Sequence, residues 1–122
     1  MNDIEKEAIK YDLDSLINLQ EKRKNNILLF EKSIDSEKEA SFQEEVASSS
    51  LETKIRLHNF GISKLDDTEY NWILSDLPKI KSTIQKRMST ILLLRQAIIE
   101  EQASIKREAC MIEYLEKNGN KK

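Results

Sequence analysis

One row of apolar residues constrains this chain more than any other feature. Tyr70, Leu77, Ile84, Ile91, Ile98, Ile105 and Ile112 recur one heptad apart without a gap. Ile73, Ile80, Met88, Leu94, Ala109 and Leu115 fill much of the space between them. Such a row is the seam that one helix turns toward a coiled-coil partner. The remainder of the stretch is Lys, Arg, Glu, Gln and Ser, the solvated side. Sheets and compact α/β folds need frequent turn residues. The 122 residues hold two glycines, Gly61 and Gly119, and one proline, Pro78. The expected fold class is therefore all-α, with very few turns.

The first half is less regular. Ile9, Leu13, Leu16, Ile27, Phe30 and Ile34 form a stripe at helical spacing, interrupted by Gln20, Arg23 and Glu37. Phe42, Val46, Leu51 and Ile55 continue it after a phase shift, as a stutter would. The ends carry signals. Asn2 with Glu5 resembles a capping pair, and Asp66 with Glu69 restarts a helix in the same style. Gly61 suits a left-handed stop, with Leu57 and Ile62 spaced for the apolar contact of a Schellman motif. Asn118-Gly119 closes the last helix. The reading is a single helical hairpin over 1–122: helix one over about 3–59, a turn over 60–66, and helix two over about 67–117. A helix of ~50 residues is ~75 Å long.

A short turn folds the chain back antiparallel on itself. With the turn centred near Ser63, Ile27 and Phe30 reach the level of Ile98 and Leu94, and Ile34 meets Ile91. The same register sets Phe42 against Ile84, Val46 against Ile80 and Leu51 against Leu74, and brings Arg23 beside Glu101. Pro78 lacks an amide donor and crowds the previous turn, so a kink is expected there. Opposite it stands Ala47-Ser48-Ser49-Ser50, a weak helix former, where Ser49 and Glu52 are spaced to recap a new segment. Two weak points at one level predict a hinge, with a stiff tip over about 50–76. The alternative is a kink at Pro78 that helix one merely follows.

Chemistry-bearing motifs are few. Cys110 is the only cysteine, so neither an intrachain disulfide nor a cysteine metal cluster is available. It reads as a small filler, since no base partners it. His58, the only histidine, reads as a capping or surface group. No phosphate loop, paired-histidine helix or calcium loop is present. The acidic pairs Glu44-Glu45 and Glu100-Glu101 suit solvated faces or interhelical ion pairs, because two thin helices do not enclose a dry pocket. No enzyme activity and no cofactor are expected. Twenty basic against 22 acidic residues leave no footprint for nucleic acid. The apolar runs Ile27–Phe30 and Ile91–Leu94 fall far short of a membrane span, and Met1–Lys10 lacks the apolar region of a secretory signal. A cytoplasmic protein without membrane insertion is expected.

Some features exceed the needs of a hairpin. Leu28, Leu29, Leu92 and Leu93 do not fit one two-helix seam, and an exposed apolar belt means another protein. Phe60, Ile62, Leu65, Tyr70 and Trp72 place apolar mass at the turn, where little core can cover it; Trp72 is the expected partner anchor. Lys22-Arg23-Lys24 and Lys106-Arg107 read as contacts to an acidic protein surface. A lone seam barely offsets chain entropy, so such a hairpin is expected to be firmer with a partner.

With two long charged helices, one turn near the middle and no catalytic motif, the chain resembles the FliJ/YscO family along its whole length. These are the central stalks of type III secretion and flagellar export ATPases, and the likeness is strongest to the short EscO-like members of injectisomes. The resemblance implies that the paired chain ends insert in the pore of a hexameric secretion ATPase and couple ATP hydrolysis to protein export. It puts the stalk in the cytoplasm at the base of a secretion apparatus, with secretion chaperones as further partners. It implies that Ile9, Leu13, Leu16, Lys22, Arg23, Lys24, Lys106 and Arg107 serve the ATPase side. Phe60, Leu65, Tyr70 and Trp72 would face an export gate protein. A different class stays open: a helical-hairpin chaperone gripping a client on 27–30 and 91–94, or a coiled-coil adaptor with no motor.

Overall fold

The computed structural model describes residues 2–118; the stop signal at Gly119 lies outside them. Three helices follow in order: α1 over Asp3–Ala8, α2 over Leu13–Asn59 and α3 over Asp67–Asn118. No strand occurs among the described residues. α2 and α3, of 47 and 52 residues, pack against each other as the two arms of a helical hairpin. Contacts divide the chain into two compact units, Met1–Ser33 with Leu94–Lys122, and Ile34–Leu93.

The first unit departs from the expected single helix over 3–59. Asn2 and Glu5 form the capping box, each side chain bonded to the other's backbone N–H. After Ala8 the helix stops: Lys10 and Tyr11 donate back to Glu7 and Ala8 in tight turns. Asp12 then starts α2, its carboxylate accepting from the Ser15 N–H and hydroxyl, both at 2.9 Å. A good cap beside a buried alanine offers the chain a second start, and the sequence signal is Asp12-x-x-Ser15. The break lets Ala8, Leu16 and Met111 close a small core, flanked by Ile4, Ile112, Tyr114 and Leu115. Burying Leu16, 1% exposed, contributes about 1.5–3 kcal/mol relative to leaving it in water.

In the second unit Ile34, Ile73 and Ile91 are buried. The seam of α2 does not shift phase after Ile34. The covered residues are Ser41, Ser48 and Ile55, in unbroken heptad step with Ile27 and Ile34, and Glu44 and Leu51, in step with Phe30 and Glu37. Phe42 and Val46, expected against Ile84 and Ile80, stand 59% and 50% exposed. Leu74, expected against Leu51, is also exposed, and Ile73 and Leu77 take its place. The reason is the partner helix: α3 keeps a strict heptad, and a stutter on α2 alone would rotate its stripe out of register with it. Polar side chains small or long enough to fill the seam are accepted in exchange. On α3 the second row contains Arg87 and Glu108, not the exposed Met88 and Ala109.

Neither weak point interrupts its helix. α3 runs through Pro78, and α2 runs through Ser48–Ser50. Pro78 and Leu74 lie on the exposed side of α3, so the carbonyl that the proline leaves without a donor is open to hydration. Ser48 is buried, and Thr53 bonds back to the Ser49 carbonyl at 2.9 Å inside a continuous helix. The division between the compact units falls at 33/34 and 93/94, away from both positions.

Candidate functional site

A binding hairpin works through what its seam fixes and what its outer faces leave open. The fixing groups are two arginines. In the first unit Arg23 reaches across from α2 and donates through Nε to the Glu108 carboxylate at 2.7 Å, and through Nη1 to that of Glu101 at 3.3 Å. In the second unit the roles of the helices are exchanged: Arg87 on α3 donates to Glu44 at 2.8 Å and Glu37 at 3.2 Å. Each guanidinium thus bridges two glutamates one heptad apart on the facing helix. Burial pulls the Arg23 pKa down, but the bond and charge of Glu108, then those of Glu101, outweigh it and leave it raised. Arg87 is raised by its bonds to Glu44 and then Glu37. Gln20 completes the polar set, donating to the Ile105 carbonyl at 2.9 Å. Charge-assisted pairs of this kind fix register better than they add stability.

These contacts reassign part of the expected ATPase-side group. Arg23 is held in the seam, and Arg107 is paired with Glu7 of α1, which raises its pKa. Leu16 is buried and Leu13 half-buried, so the apolar surface expected from them is largely spent on the core. Ile9, Lys22, Lys24 and Lys106 are exposed, and the three lysines form no ion pair among the described residues. An open cleft of about 350 Å³ lies between α1 and the last turns of α3, lined by Asn2, Ile4, Cys110, Tyr114 and Lys117.

The turn is built as its sequence implies. Gly61 takes φ +74, in the left-handed region that a Cβ disfavours. Ile62 donates to the Leu57 carbonyl and Gly61 to that of His58, both at 3.0 Å, which is the Schellman pattern. Ile62 nevertheless stays exposed rather than covering Leu57. His58 does more than cap. Its Nδ1 accepts from the Leu65 N–H at 3.0 Å, and its ring lies 4.7 Å from that of Tyr70. Leu65 and Tyr70 are therefore half-buried parts of the turn's own packing. Phe60 and Trp72, 74% and 55% exposed, are the expected anchors that remain open.

Leu28, Leu29, Leu92 and Leu93 are all exposed, as their crowding implies. Reading by apolar residues alone misses Arg87 and Glu108 as seam groups; it sets Glu37 in the stripe and offers Glu44 for an interhelical ion pair, but without their partner Arg87. An internal likeness would have found them. The offset that carries Lys22-Arg23 to Lys86-Arg87 also carries Ile27-Leu28-Leu29-Phe30 to Ile91-Leu92-Leu93-Leu94, Ile34 to Ile98, Glu37 to Glu101 and Glu44 to Glu108. No helix is long and apolar enough to cross a membrane, and the described residues hold no cluster suited to a metal ion. No family model, no curated protein and no solved structure matches the chain.

Proposed function

We propose that the chain is the central stalk of a type III secretion or flagellar export ATPase, its paired ends seated in the pore of the hexamer. The observation that carries this reading is the first unit. There the segment that opens the chain and the last turns of α3 are joined in one core through Ala8, Leu16 and Met111, with Arg107 paired to Glu7. Ends locked together in this way enter a pore as one body. Ile9, Lys22, Lys24 and Lys106 are then the contacts available to the ATPase, the lysines meeting acidic groups around the pore. The polar seam suits a part that transmits displacement, because Arg23 and Arg87 resist sliding of one helix on the other. Phe60 and Trp72 are the contacts toward an export gate. The stalk works in the cytoplasm at the base of the secretion apparatus.

The test is turnover of the cognate hexameric ATPase with and without the chain. Stimulation that saturates at one chain per hexamer is expected. Trp72→Ala is expected to leave that stimulation unchanged while weakening binding to the gate. A second reading, a hairpin chaperone for a secretion subunit, is favoured by the exposure of Leu28, Leu29, Leu92 and Leu93. A stable one-to-one complex with a client and no change in turnover would select it and overturn the stalk.

A further inference from the structure

The opening of α3, residues 67–78, holds three acidic residues, Asp67, Glu69 and Asp76, and no basic one. Acids in the first turn complement the helix dipole, which accounts for Asp67 and Glu69. The effect falls off within that turn, so it does not account for Asp76. An ion pair does not account for it either. Glu52 pairs with Lys81 and Glu113 with Lys117, but neither Glu69 nor Asp76 has a basic partner among the described residues. Between these two acids, about one turn from each, stands Trp72, the only tryptophan. Positions three and four apart on a helix are neighbours, so Glu69 and Asp76 flank Trp72 along one face. Ile73, 2% exposed, marks the covered side of α3 at this level. Trp72 and Glu69 are exposed and Asp76 is half-buried. All three belong to one helix of the second unit.

We propose that this face of α3 docks a basic segment of a partner protein, an arginine of the partner lying on the Trp72 indole with its charge between Glu69 and Asp76. The inference rests on the reading of Trp72 as a partner contact, and names the chemistry that meets it. Charge complementarity carries it. The face of an indole is the best aromatic surface for a cation, and a guanidinium stacked there still presents N–H donors at its edge. Either flanking carboxylate is placed to accept from that edge, and both add to the field that draws a cation in. The next base along α3, Lys79, stands seven residues beyond Trp72 and pairs with neither acid. The same charges disfavour the other large surfaces. An anionic lipid headgroup or a nucleic-acid backbone would meet two uncompensated carboxylates at the point of contact.

Because the chain has no second tryptophan, Trp72 emission reports on the contact itself. The probe is an alanine-based helical peptide with arginines one heptad apart, dye-labelled and titrated with the full chain while its anisotropy and the Trp72 emission are followed. Its control is the same peptide with citrulline in place of arginine, which keeps the shape and removes the charge. The arginine peptide is expected to bind saturably, to shift Trp72 emission and to weaken as salt is added. The citrulline peptide is expected to bind at least about 10-fold more weakly. Glu69→Gln combined with Asp76→Asn is expected to lower affinity for the arginine peptide about 10-fold while circular dichroism shows unchanged helix content. Equal binding of the two peptides to the wild type overturns the proposal. So does binding that leaves Trp72 emission unchanged, and so does a neutralised variant that takes the arginine peptide as the wild type does. The comparison of peptides uses the wild-type chain, so it decides independently of how the variant folds. ATPase turnover separates this inference from the stalk reading. A hexamer indifferent to the chain ends the stalk reading and leaves the peptide result standing; equal peptide binding ends this inference and leaves turnover as measured.

Discussion

Arg23 offers the sharpest test of what the seam is made of. Glu108 is 6% exposed at its side chain, Glu101 19% and Arg23 24%. Arg23→Met removes the cation and leaves two largely buried carboxylates, one heptad apart on α3, without their counter-charge. Breaking a buried pair from one side costs about 3–5 kcal/mol; the partial exposure of Arg23 brings the expectation here to about 2–4 kcal/mol. For a domain of this size that lowers the melting temperature by roughly 8–20 °C. The triple replacement Arg23→Met, Glu101→Leu, Glu108→Leu removes the same ion pairs together with the desolvation they require. It is expected to match the wild type or exceed it by about 1–4 kcal/mol. Urea melts followed by circular dichroism at two wavelengths measure both. A single replacement costing less than about 0.5 kcal/mol would mean the carboxylates are solvated. A triple variant weaker than the single one would mean the bridge itself stabilises the fold, and the reasoning fails.

The unbroken heptad of α2 is checked by a pair of substitutions. Phe42→Ser is expected to change stability by less than about 0.5 kcal/mol, and Ile34→Ser, on the covered side, to cost about 3 kcal/mol or more; the opposite ranking would restore the stutter. Acid is expected to act on the α1–α2 junction. The Ser15 N–H, and then its hydroxyl, hold the Asp12 carboxyl below its ordinary value, so this contribution is complete above about pH 4 and is lost as pH falls through the lowered value. In Asp12→Ala, amide protection factors in 9–16 are expected to be lower at neutral pH and no longer to fall on acidification. At the turn, His58→Ala leaves the Leu65 N–H without its acceptor and is expected to cost about 1–2 kcal/mol, with Tyr70 becoming more accessible to solvent quenchers.

The parts of the fold that were legible are those where the physics is written in side-chain type. The isoleucine row of α3 gave its helix and its face, and Gly61 gave the turn, because only a residue without Cβ takes φ +74 cheaply. The α2 seam beyond Ile34 was illegible to a search for apolar residues, since Ser41, Glu44 and Ser48 fill it while Phe42 and Val46 lie outside. Counting heptads onward from both Ile27 and Phe30 recovers it. On the candidate contact surface, Lys22, Lys24, Phe60 and Trp72 stand open as the sequence implied. Arg23, Arg107 and Leu16 do not, because their partners Glu108, Glu7 and Met111 lie on elements remote in sequence. Sequence distance hides such pairings; only the register reveals them.

The two-glutamate bridge also determines how the helices would yield under load. Suppose α3 slipped along α2 by one heptad, about 10 Å. In one direction Arg23 would keep Glu108 and gain Leu115, while Arg87 would keep Glu44 and gain Leu51. In the other, Arg23 would keep Glu101 and meet Leu94, and Arg87 would keep Glu37 and meet Phe30. One carboxylate of each pair survives either displacement, and both arginines lose the corresponding partner at once. The hairpin thus carries a pawl with two teeth, firmer in the sense of travel that keeps Glu108 and Glu44, the closer partners, than in the one that keeps Glu101 and Glu37.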